Sequence, residues 1–143
     1  MTGANNGECQ NIINQVQAYI KKQHASEKEA VLLETFAQRY FSSASADDLK
    51  THSTEALYAI LVSHWKFIST RLPSEAKISI FNPDQAKDGW KSRHTVIQIS
   101  HDDIPFLVDS IRMVVNRYGC QIHFIIHFGG LRVKRDAHHH ITS

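Results

Sequence analysis

Histidine is the residue that could carry the most chemistry in this sequence, with ten present, and metal ligation is the first possibility to test. His123 and His127 fall four residues apart on one face of an expected strand. That separation is about 13 Å at ~3.3 Å per residue, against Zn–N bonds of about 2.0–2.1 Å, so the two do not chelate one ion. His138-His139-His140 is a run of neighbouring imidazoles near the chain end, of the kind that gathers Ni²⁺ or Zn²⁺ adventitiously. No metal site is read from it, and its role stays open. His64 beside Trp65 would need a Ser or Cys nucleophile and an orienting partner to act as a general base. Neither is near it in sequence, and it reads as a histidine at the edge of the core. A free-standing hydrolase would rest on His64, His94, His101 and scattered serines with no ordered triad, so no catalytic residue is assigned. Asp102 and Asp103 could pair as acid and base. They also stand where a following helix needs negative charge at its N-terminus, and capping is the reading taken. Asp109 lies further into that helix, facing either solvent or another domain.

Two further groups have plain structural readings. Gly129-Gly130 is too sparse for a phosphate loop, which needs a glycine-rich run between strand and helix with a Lys or a second fixed Gly; a two-residue hairpin turn accounts for it. Arg132, Lys134 and Arg135 form a small basic edge that reads as a solvated strand, with an anionic partner surface as the other option.

The elements that must position these residues follow from periodicity. Ile12, Ile13, Val16, Tyr19 and Ile20 recur at helical spacing, while the first ten residues are expected to fray. Ser26 and Glu29 read as a capping box that opens a second helix with the apolar set Ala30, Leu33, Phe36, Ala37, Tyr40 and Phe41. After the small residues Ser42 to Ser45, Asp47-Asp48-Leu49 suggests a short helical turn. Thr51 or Ser53 then caps a helix reaching about Thr70, with Leu57, Leu61, His64 and Ile68 on one face. Pro73 requires that this helix has ended. Lys77 to Phe81 and Thr95 to Ile99 alternate as strands around a polar loop from Asp84 to Arg93. A helix after Pro105 carries Leu107, Val108, Ile111, Val114, Val115 and Tyr118 as its buried stripe, and Gly119 suits a left-handed C-terminal cap. Gln121 to Phe128 has strong period-2 alternation, and Leu131 to Arg135 is expected to return antiparallel to it. The order ααα, β, β, α, β, β gives an α+β class: N-terminal helices over 1–73, then an antiparallel sheet with one packed helix over 74–143, the two forming one compact unit.

Composition excludes other classes. With 42% hydrophobic and 21% charged residues, 6 Gly and 3 Pro, the chain is neither disordered nor fibrous. Sixteen Lys and Arg against fourteen Asp and Glu leave a net charge of +2, far from the basic stripe that nucleic acid demands. The longest apolar run, Ala56 to Val62, is far short of the roughly twenty residues of a membrane span. The first ten residues lack the basic and apolar regions of a secretory signal. Cys9 and Cys120 make neither a disulfide framework nor a CxxC knuckle, which fits a reducing cytoplasm.

Several blocks carry a family resemblance: Ser63-His64-Trp65, Phe81-Asn82-Pro83, Gly89-Trp90, His94-Thr95-Val96, Asp102-Asp103-Ile104-Pro105-Phe106-Leu107-Val108-Asp109-Ser110 and Leu131-Arg132-Val133. About half of the chain resembles the N-terminal region of the large bacterial NAD-dependent glutamate dehydrogenases, the block from Asp102 to Ser110 being the most specific. The resemblance implies an ACT-like (ferredoxin-like) α+β domain, with Thr95 to Arg135 matching a first βαββ portion. The missing elements lie beyond Ser143, or strand Lys77 to Phe81 fills the vacant sheet position. It further implies one segment of a much longer polypeptide whose catalytic core and NAD-binding domain lie elsewhere. This piece would itself be inactive and hold no cofactor. No GxGxxG follows a strand, and no lysine sits in a glycine-rich substrate loop.

The implied role is regulation or assembly, with downstream domains of the parent enzyme, further copies of the chain and an amino-acid effector as partners. ACT modules that bind effectors use the turn after the first strand, here Asp102, Asp103, Ile104, Pro105, Phe106 and Leu107. Phe106 occupies the place where such modules usually carry Gly. Helix-terminal N–H groups from Ile104 to Leu107 could hold a carboxylate. A purely architectural docking module without an effector is the other reading.

Overall fold

The computed structural model describes residues 2–24, 26–72, 74–102, 104–127 and 132–142. Pro73 and Asp103 lie outside them, as do Phe128, Gly129, Gly130 and Leu131, so the expected hairpin turn is not among the described residues.

Four helices form the first half: α1 (Thr2–Gln23), α2 (Glu27–Ser42), α3 (Ala46–Lys50) and α4 (Thr54–Ser69). Helix α1 packs on α2, α3 and α4. The apolar stripe read for α2 is buried in full, Ala30, Leu33, Phe36, Ala37, Tyr40 and Phe41 closing on Ile13, Val16 and Ile20 of α1 and on Leu57, Leu61 and Ile68 of α4. Apart from Pro83 and Trp90, every fully buried apolar side chain among the described residues precedes residue 70. Ser53 caps α4 through its hydroxyl, which accepts from Ala56 N at 3.1 Å. Ser45 does the same for α3 from Asp48 N at 3.2 Å.

Two expectations in this half fail. Residues 2–10 do not fray but form the first turns of α1. Cys9 is buried with its thiol directed at the Phe41 and Ala44 carbonyls, Gln10 and Gln38 exchange amide hydrogen bonds at 2.9 and 3.0 Å, and Glu8 pairs with Lys50 at 2.6 Å. These contacts are to α2 and α3, so they are invisible to local periodicity. The capping box does not form either. Ser26 precedes α2 in extended conformation, but its side chain makes no cap bond, and Glu29 turns instead toward His24 Nδ1 at 3.7 Å.

Strands β1 (Lys77–Phe81) and β2 (Val96–Ser100) pair antiparallel, Ile78 opposite Ile99 and Ile80 opposite Ile97. The alternation assigns two unlike faces. Gln98, Phe81 and Val96 face inward: Phe81 and Val96 pack against the helical core, and the buried Gln98 donates to Ser63 Oγ on α4 at 3.1 Å. The other face consists of four isoleucines, of which Ile78, Ile80 and Ile97 are 61%, 65% and 45% exposed. Between the strands, the expected polar loop contains a single helical turn, α5 (Gln85–Asp88), capped by Asp84 Oδ1 accepting from Ala86 N at 2.8 Å. Gly89 follows at φ +78°, where a Cβ would lie 3.4 Å from the Ala59 side chain. This close approach to α4 carries Trp90 into the core.

Helix α6 (Leu107–Arg117) closes as expected: Gly119 is left-handed, Gly119 N donates to Asn116 O at 3.0 Å and Cys120 N to Val115 O at 3.2 Å, the paired bonds of a Schellman cap. Its stripe differs from expectation. None of its residues is fully buried, and Val114 and Tyr118 are exposed. Among the described residues, helix α6 makes no substantial packing against another helix or strand.

The α+β class holds, helices preceding and following an antiparallel ladder, but the sheet has two strands among the described residues. Gln121 to His127, read as a strand, is irregular. A period-2 pattern supplies a buried face but not a ladder partner, and among the described residues no strand pairs with this segment. It is held by side chains instead: Phe124 and Ile126 against the core, Phe124 beside the His52 ring, and His123 stacked on His94 with centroids 4.0 Å apart. The returning strand over 131–135 is likewise absent over 132–134, and Arg135 makes only a bridge to Ile141.

Candidate functional site

The turn between β2 and α6 is where the resemblance implies that an effector could bind. Asp102 does not cap α6. Its carboxylate is held 2.6 Å from Arg71 Nη2, a residue just past the end of α4. The Arg71 hydrogen bond, reinforced by its charge, holds Asp102 below the usual carboxylate range. Arg71 is fixed in turn by donation from Nη1 to Glu75 O at 2.9 Å, while the Glu75 carboxylate accepts from Leu72 N at 2.9 Å. His101 Nδ1 donates to the Asp102 carbonyl at 2.8 Å. Arg71 lies outside the motif, and only the demand of an exposed carboxylate for a cation could have pointed to it.

The remaining turn residues are open. Ile104 and Pro105 are exposed, and Phe106 is 77% exposed at φ +63°, a left-handed conformation that favours glycine. The position at which the resemblance implies Gly therefore has a backbone conformation that favours it. Leu107 is half-buried and opens α6, whose first turn closes through Ser110 N to Phe106 O at 2.9 Å. Asp109 is exposed, and Asp103 lies outside the described residues.

The turn does not suit a dinucleotide. A pyrophosphate at a helix N-terminus needs glycines that let the backbone approach it, and the segment ahead of α6 has none and carries the Phe106 ring.

The histidines sort into structural contacts. His64 Nδ1 lies 3.0 Å from the buried Tyr40 hydroxyl, and burial lowers its pKa to about 4 while raising that of the Tyr40 phenol. It is thus a neutral histidine at the core edge. His24 Nε2 meets the Tyr58 hydroxyl at 2.9 Å, and His52 Nδ1 the Thr51 hydroxyl at 2.9 Å. Among the described residues no imidazole is hydrogen-bonded to a Ser or Cys, and no three metal-ligating side chains converge. In the C-terminal run, Asp136 Oδ1 accepts from His138 N and His140 N at 2.8 and 3.1 Å, a tight turn built on the carboxylate.

The basic edge is corrected at Arg135. Rather than lining a solvated strand, its guanidinium donates to Ile68 O and Ser69 O, both at 3.0 Å, and to His139 O at 2.8 Å. Lys77 adds donations to Phe67 O at 2.6 Å and Thr70 O at 2.9 Å. The last carbonyls of α4 have no partners within the helix, and two cations complement them and the helix dipole.

Comparison with known proteins places these features in a family context. The family model described as glutamate dehydrogenase, ACT1 domain matches residues 36–143. The NAD-specific glutamate dehydrogenase of Halomonas elongata is 36% identical over 126 residues, 88% of this chain and 7% of that protein. That of Pseudomonas aeruginosa is 36% identical over 115 residues, 80% of this chain and again 7% of the relative. The chain therefore spans about 7% of the length of these curated relatives. No solved structure matches it. Among the described residues no helix is long and apolar enough to cross a membrane.

Proposed function

The chain belongs to the glutamate dehydrogenase ACT1 domain family, and from that premise we propose that it is a non-catalytic regulatory and assembly module of a cytoplasmic NAD-dependent glutamate dehydrogenase. The parent reaction would be oxidation of L-glutamate to 2-oxoglutarate and ammonia with NAD as acceptor. The cofactor and the reacting groups would be held by other domains of the parent. The observation that supports this reading most is the family match: the glutamate dehydrogenase ACT1 domain model covers residues 36–143, and the chain aligns along most of its length with only about 7% of NAD-specific glutamate dehydrogenases.

Regulation would act at the turn after β2. An amino-acid effector there would meet a carboxylate, Asp102, and a guanidinium, Arg71, already joined at 2.6 Å. Its α-carboxylate would compete with Asp102 for Arg71, and its ammonium would take Asp102. Such a ligand shifts the parent enzyme only if it binds one of its arrangements more tightly than another. Titration calorimetry of the chain with glutamate, aspartate and arginine is expected to give heat for at least one of them, abolished in Arg71→Ala. Silence for all three removes the effector and leaves assembly as the role.

The outward isoleucine face favours the architectural reading. Exposed contiguous apolar surface marks interaction sites, and Ile78, Ile80 and Ile97 are all more than two-fifths exposed. Light scattering of the chain is expected to show self-association that Ile80→Glu abolishes without loss of helical circular dichroism. A monomer at every concentration would show that copies of this chain do not use the face.

A further inference from the structure

We draw no further inference here: the strongest candidate, the outward face of the β1/β2 ladder formed by Ile78, Ile80, Ile97 and Ile99, is an apolar surface without a partner among the described residues, and nothing in the structure shows what covers it.

Discussion

The stability of this chain is expected to fall by about 3 kcal/mol as pH drops from above 6.5 to about 4, through His64 alone. In the folded chain the imidazole sits against the Tyr40 hydroxyl among Tyr40 and Phe67, and its pKa is lowered to about 4 by desolvation. The unfolded chain takes up this proton near the ordinary histidine value of about 6.5. Below that value the unfolded state binds more protons than the folded one, so folding weakens with each step of acidification. The loss levels off near the folded value, where both states carry the proton. Urea unfolding at closely spaced pH values checks this, with His64→Leu as the comparison. The slope between pH 6.5 and 4 should be present in the parent chain and largely gone in the variant. Equal slopes would mean that His64 is not held neutral, and that the other histidines or the carboxylates produce the acid sensitivity.

Arg135→Ala should weaken folding by about 2–3 kcal/mol, since hydrogen bonds from charged donors contribute roughly 1.5–3 kcal/mol and those from one side chain do not add fully. The guanidinium is the only group among the described residues that joins the Ile68, Ser69 and His139 carbonyls. Removing it leaves two carbonyls of the last turn of α4 without that partner and takes away one of the attachments of the tail to the helix end. Arg135→Lys keeps the charge but not the planar fork that reaches several acceptors at once, and should recover less than half of the loss. Chemical denaturation followed by circular dichroism measures both variants. A change below about 0.5 kcal/mol in Arg135→Ala, the range of ordinary surface substitutions, would show that Lys77 and the backbone bond from Ile141 N to Ser69 O suffice at this end.

What could be read before folding was local. The burial of α2, the Ser53 cap and the Gly119 cap depend on residues within a few positions of one another. The two strands β1 and β2 were legible, because the alternation of Lys77 to Phe81 and Thr95 to Ile99 marks both though not their pairing or register. The misreadings share a different cause. Gln121 to His127 has the alternation of a strand, but alternation says nothing about which backbone will donate the other half of the ladder. Asp102 has the type and position of a helix cap, yet a guanidinium 31 residues away holds it. Arg135 looked like a solvated charge because its acceptors, 66 and 67 residues back, are backbone carbonyls with no side-chain signature. At the candidate effector turn, the motif identified the segment and the unusual Phe106, while the left-handed backbone there and the Arg71 partner of Asp102 became visible only in the fold.

The two cysteines have a practical consequence through their unequal settings. Cys9 is sealed between α1 and α2 with its thiol pushed toward the protonated form by burial, whereas Cys120 stands exposed immediately after the cap of α6. A thiol-directed dye therefore finds a single address on the native chain, just past the C-terminal end of α6. Without any engineering, the protein carries its own attachment point for a probe that would report whether α6 gains a neighbour when a binding partner is added.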